Sequence, residues 1–178
     1  IDRKTCELLK QLIVNIGKAE PIPENTSRNK LLYSLISELH ANLILFADMS
    51  FYDLNHYRVY PRFRHIVLDE VLTSGSFIYE HDKELYTLLY DWATSLDDIN
   101  RRLDLSEFRD FGRLSDDKVI EIRSKIIQGP ALKGCRELCK RTLILLIDQY
   151  GQEAGLNRDS FLFGKTIQEI LDTFNSIM

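Results

Sequence analysis

A chain of 178 residues, 44% hydrophobic and 28% charged, has ordinary globular composition and is long enough to bury one core. A formal net charge of −4 argues against a surface that grips nucleic acid all over, since polyanion binding needs concentrated Lys and Arg. Three cysteines, Cys6, Cys135 and Cys139, do not make a disulfide framework, and no apolar run reaches the ~18 uncharged residues that a membrane helix needs.

Residues 2–18 read as the first helix. Leu8, Leu9, Leu12, Ile13 and Ile16 form its stripe, Asp2 suits the N-cap, and Gly17 with Pro21-Ile-Pro23 ends it. The chain opens on Ile1 already in helical pattern, so a fragment or processed chain is expected, with room for a membrane anchor in an upstream segment. Residues 29–49, NKLLYSLISELHANLILFADM, are the longest clean amphipathic run. Leu31, Leu32, Leu35, Ile36, Leu39, Leu43, Phe46 and Met49 recur at three- and four-residue intervals. Ser37, Glu38, His40 and Asn42 interrupt that run with polar types a plain core helix would not choose.

An aromatic and basic stretch follows, including His56, Tyr57, Arg58, Tyr60, Arg62, Phe63, Arg64 and His65. Pro61 predicts a helix over 61–73 with Phe63, Ile66, Val67 and Val71 inward, stopped by Ser74-Gly75-Ser76. The next helix is predicted over 81–104, with Leu85, Leu88, Leu89, Trp92, Leu96 and Ile99 on its core face. Residues 105–114 read as a connector. Further helices are predicted over 115–128 and 130–150, separated by Gly129-Pro130. A last helix is capped by Asp159 or Ser160 and carries Phe163, Ile167, Ile170, Leu171 and Phe174 at core spacing. Cys135 and Cys139, four apart, read as small buried apolar residues. No segment alternates with period two. The expected fold is all-α: one domain over residues 1–178, a bundle of six or seven helices in mostly antiparallel up-and-down packing.

Several constellations bear on chemistry. Isolated His and acidic residues such as His65 and Asp69 lack the further ligands of a metal centre, and no Glu-x-x-His pair is present, so neither metal nor cofactor is expected. Arg58 and His65 meet the spacing of all-helical ribonucleases of the HEPN type. There His65 would act as base on the ribose hydroxyl and Arg58 would stabilise the phosphorane. Against this, Val59 replaces a polar residue after the Arg, and Pro61 breaks the helical register between the pair. Tyr57, Arg58, Tyr60, Arg62, Phe63 and Arg64 interleave as base-stacking platforms do. Buried aromatics with Arg heads paired to acids explain that pattern more simply, and nucleic acid is not expected as a partner. Glu38 and Asn42 share a helix face and are expected to form a structural polar junction with Arg62, Arg64 and His65.

The helix carrying Leu35 to Asn42 (LISELHAN), a short helix ending before Ser74-Gly75, and a helix with Leu85 to Tyr90 (LYTLLY) and Asn100 together resemble a class of uncharacterised prokaryotic all-helical domains that often follow membrane-spanning segments. Val67-Leu68 stands where that class often has Ala-Trp. The resemblance covers about residues 27–104. It implies a soluble head, tethered in the full-length protein, and brings no activity with it. The expectation is a non-enzymatic interaction or sensing domain with a protein partner or a second copy of itself, in the cytoplasm or at the cytoplasmic face of a membrane. The alternatives are the HEPN-like ribonuclease and a bundle that binds a small molecule.

Overall fold

The computed structural model describes residues 27–54, 59–75, 82–111 and 116–176. The helix expected over residues 2–18, Cys6, His56, Tyr57, Arg58 and His81 lie outside them. The described chain is mostly helical. Helix α1 spans Ser27–Ala47 and a 3-10 turn spans Met49–Tyr52. Then come α2 (Ile66–Thr73), α3 (Lys83–Phe111), α4 (Asp116–Ile127) and α5 (Pro130–Leu145), which runs on through a π turn (Leu146–Tyr150) into α6 (Gly151–Ala154). A hairpin of β1 (Phe161–Leu162) and β2 (Lys165–Thr166) precedes α7 (Ile167–Ser176).

Helix α1 is central because its apolar stripe is nearly continuous. Leu32, Leu35, Ile36, Leu39 and Leu43 have no exposed surface, and α1 touches α2, α5, α6 and α7. Behind it α3 packs on α2, α4 and α5, with Leu89, Trp92, Leu96 and Leu103 buried. The break before α5 is tight: a side chain at Gly129 would place its Cβ 2.2 Å from the Lys125 carbonyl oxygen, and Pro130 then starts the helix where its missing N–H has no partner to lose.

Four predicted boundaries move. Helix α1 stops at Ala47 rather than 49, because Asp48 turns extended and its carboxylate takes the N–H of Ser50 at 2.9 Å. Met49, expected in the core, is exposed. The helix predicted over 61–73 starts only at Ile66; residues 60–65 are not helical, because side chains of α1 and α3 take up their main-chain groups. Ile66, expected inward, is therefore exposed. Residues 105–111, read as a connector, continue α3. Residues 160–166, expected to open the last helix, form the hairpin instead, and Phe163 is exposed rather than core. The cap of α7 is Thr166. Its N–H donates to Glu169 Oε2 at 2.6 Å and its Oγ1 accepts from the Glu169 N–H at 3.1 Å, a reciprocal capping box.

Cys135 and Cys139 are free thiols in the core between α1, α3 and α5. Burial pushes the Cys135 thiol up to about 12. Burial also raises Cys139 well above the ordinary range, and its Sγ lies 3.6 Å from the Leu39 carbonyl oxygen it can donate to. The thiolate is the reactive form. Both cysteines should therefore resist alkylation at pH 8 in the folded protein and label fully once it is unfolded, as followed by mass spectrometry of their peptides.

Candidate functional site

Residues 60–68 are fixed by side chains that reach them from two helices. The Tyr60 N–H donates to Glu107 Oε1 at 2.8 Å. The guanidinium of Arg62 donates to Asp104 at 2.7 and 2.9 Å, to Glu107 at 2.5 and 3.0 Å, and to the Tyr60 carbonyl. Burial opposes the charge on Arg62, but Glu107 and Asp104 outweigh it and hold the group above its ordinary pKa. One residue on, Asn100 of α3 accepts from the Phe63 N–H and donates to the Phe63 carbonyl, both at 3.1 Å. From the other side, Asn42 of α1 does the same to Arg64, both at 2.8 Å. Each Asn thus acts as a one-residue strand partner, satisfying a main-chain donor and acceptor that no helix or sheet provides for.

Glu38 completes the set. Its two carboxylate oxygens accept the N–H groups of Val67 and Leu68, each at 3.0 Å, although Glu38 itself is only 6% exposed. These are first-turn donors of α2, which a helix leaves without internal partners. A carboxylate there also meets the positive end of the helix dipole. Tyr60 and Phe63 anchor the segment from within: Phe63 stacks on Phe46 with centroids 4.3 Å apart, Phe51 lies edge-on to Tyr60 at 5.6 Å, and Arg123 covers the Tyr60 ring.

The sequence points Glu38 and Asn42 at Arg62, Arg64 and His65, through an Arg side chain or a backbone group. The structure gives both of them main-chain partners, Asn42 at Arg64 and Glu38 at Val67 and Leu68. Of the three cationic side chains, Arg62 goes to α3, and His65 Nδ1 pairs with Asp69 at 2.9 Å on the surface. The Arg64 side chain is exposed and makes no hydrogen bond or ion pair with the other described residues. The bases-and-phosphates pattern disperses likewise: Tyr60 and Phe63 are buried, Arg62 is paired, and Tyr57 and Arg58 lie outside the described residues. So does one half of the Arg58–His65 pair. Among the described residues no three His, Cys, Asp or Glu side chains gather as metal ligands.

What the clasped segment does create is one wall of a groove. Arg64 and Val67 face Tyr33, Ser34 and Ser37 of α1 and the hairpin residues Phe161, Leu162 and Phe163 across a volume of about 460 Å³. Phe161 is 67% exposed and Phe163 59%. Phe163 and Gly164 form the two-residue loop, with φ of +49° and +87°. Positive φ at both loop positions is what a tight hairpin turn demands, and Asn or Gly normally meets it; a bulky aromatic there is strained. Sequence reasoning missed this site. Its one available sign is Phe163-Gly164 between Leu162 and Lys165, too short a pattern to compete with helical spacing.

Beneath the hairpin tip lies His40, fully buried, its ring stacked on Phe163 at 6.2 Å. Among the described residues neither ring nitrogen has a well-aligned hydrogen-bond partner, although the Thr166 main chain lies near the ring. Burial pushes His40 below its ordinary pKa, with Lys165 adding to the shift and the main chain of Thr166 opposing part of it. A buried base held neutral binds its proton more readily in the unfolded chain. The stability His40 brings is therefore full above about pH 6.5 and lost as pH falls below it. His40→Leu should remove that part of the slope. The difference in thermal midpoint between variant and wild type should move in the variant's favour from pH 7.5 to pH 5.5, as read by circular dichroism melts.

No known protein family, curated protein or solved structure matches the chain.

Proposed function

We propose that this is a non-enzymatic interaction domain, and that the groove between α1, residues 64–67 and the hairpin is its binding face. The observation that carries the reading is Phe163. An aromatic held at a strained backbone position and still more than half exposed costs stability of about 1 kcal/mol or more. Phe161 beside it and Tyr33 opposite are exposed as well. Exposed aromatics gathered on one groove are what a protein-binding face uses. The whole chain is proposed to form one bundle of six or seven helices, packed mainly up and down. The free thiols of Cys135 and Cys139 fit a reducing compartment, and the cytoplasm is the proposed setting.

The reading separates stability from binding. Phe163→Asn places a residue that tolerates positive φ at the strained position and should raise stability by roughly 1 kcal/mol, net of the lost stacking on His40. The same change, combined with Phe161→Ser, should abolish binding. Selection of displayed random peptides on the immobilised domain checks this: wild type enriches a set of sequences that the double variant, still folded by its melt, does not retain. A double variant that retains the same set excludes this groove as the binding face.

A further inference from the structure

Two features of the groove restrict what it can take. The first is the hairpin edge. Among the described residues strand β1 pairs with β2 on one side only. The register sets Phe161 opposite Thr166, and the Ile167 N–H donates to the Ser160 carbonyl at 3.1 Å. Hydrogen-bonded and non-bonded pairs alternate in an antiparallel ladder, so the N–H and C=O of Phe161 point away from β2. An open strand edge with an unpaired donor and acceptor is a template for one more extended segment.

The second feature is charge. Two charged side chains line the groove, Glu38 and Arg64. Glu38 is spent: both of its oxygens are bonded to the start of α2. Ser37 turns its hydroxyl back to the Tyr33 carbonyl at 2.8 Å. Arg64 differs from both. Asn42 fixes its main chain, while its side chain lines the groove with neither ion pair nor hydrogen bond among the described residues. Among the described residues Arg28, Arg62, Arg102, Arg136 and Arg158 have carboxylate partners, while Arg64, Arg101 and Arg141 have none; of these three Arg64 is the one that lines the groove. An unpaired guanidinium carried on a fixed main chain is complementary to a carboxylate supplied from outside.

We infer that the groove binds an extended segment of a partner protein that carries an Asp or Glu side chain flanked by apolar ones. Its main chain adds to β1 at Phe161, its carboxylate meets Arg64, and its apolar side chains lie against Tyr33, Phe161 and Phe163. This rests on the interaction reading above and specifies the partner's chemistry. The test is the random-peptide selection repeated on Arg64→Glu, a change at an exposed side chain that leaves the Asn42 contacts to the main chain in place. Wild type should enrich peptides with an acidic residue beside Phe, Leu, Ile or Val. Arg64→Glu should weaken those peptides at least about tenfold and enrich Lys or Arg at the same position instead. Peptides that depend on Phe161 and Phe163 but show no acidic preference, or a preference that Arg64→Glu leaves unchanged, overturn this inference and leave the interaction reading standing. If no enriched peptide depends on Phe161 and Phe163, both fall.

Discussion

Glu38→Ala should lower the stability of the domain by about 3 kcal/mol, since two amide-to-carboxylate hydrogen bonds are lost and two donors, one buried and one partly buried, are left without their acceptor. At the usual slope for a domain of this size that is a fall of roughly 6–12 °C in thermal midpoint. Helix α2 has eight residues, too few to persist on its own propensity. Its first turn is built by a side chain from α1, so the damage should be local as well as global. Glu38→Gln tests whether two acceptor oxygens are needed. Gln keeps one and turns an NH2 group toward the other N–H, so it should cost about 2 kcal/mol rather than behave as a neutral replacement. Chemical denaturation with both variants measures these values. A Glu38→Gln variant as stable as wild type contradicts the paired-acceptor geometry.

Asn42→Ala and Asn100→Ala should each cost about 2 kcal/mol, because each removes two main-chain hydrogen bonds. The double variant should cost less than the sum, by on the order of 1 kcal/mol. The reason is geometric. Asn42 holds Arg64 and Asn100 holds Phe63, adjacent residues of one extended segment wedged between α1 and α3. Once either clasp opens, the segment loosens and the other clasp has less left to hold. Asn100→Asp discriminates further: it keeps the acceptor for the Phe63 N–H, loses the donor, and sets a charge against the Phe63 carbonyl, so it should be no better than Ala. Strict additivity of the two alanine variants would mean that the clasps act independently and that residues 60–65 are held mainly by the Phe63 and Tyr60 rings.

Much of the frame could be read from spacing alone. The stripe of α1 from Leu31 to Phe46 and that of α3 from Leu85 to Ile99 are long enough that periodicity decides them, and these residues are buried. Glu38 and Asn42 stand out in sequence because a core helix has no use for them unless something answers. What answers is the main chain of residues 64–68, and main-chain groups are the same at every position, so no residue type announces them. Pro61 misleads for a physical reason: it suits the first turn of a helix, but tertiary partners supply better bonds to residues 60–65 than a helix would. Glu107 is hidden for a related reason, since residues 105–111 read as a connector while α3 in fact carries Glu107 to the Tyr60 N–H. The hairpin fails differently. Two-residue strands are below the length at which alternation can be seen, although Thr166-x-x-Glu169 spells the cap of α7 and would have placed its start correctly.

That the polar residues of α1 and α3 build the segment on which the groove depends is tested most directly by amide hydrogen exchange at Val67 and Leu68. First-turn amides of a short surface helix normally exchange fast, having no carbonyl partner. With Glu38 in place the two should be protected to a degree comparable with the core of α1, and Glu38→Ala should return them to rapid exchange while Leu35 and Leu39 stay protected. Rapid exchange at Val67 and Leu68 in the wild-type protein would contradict the account.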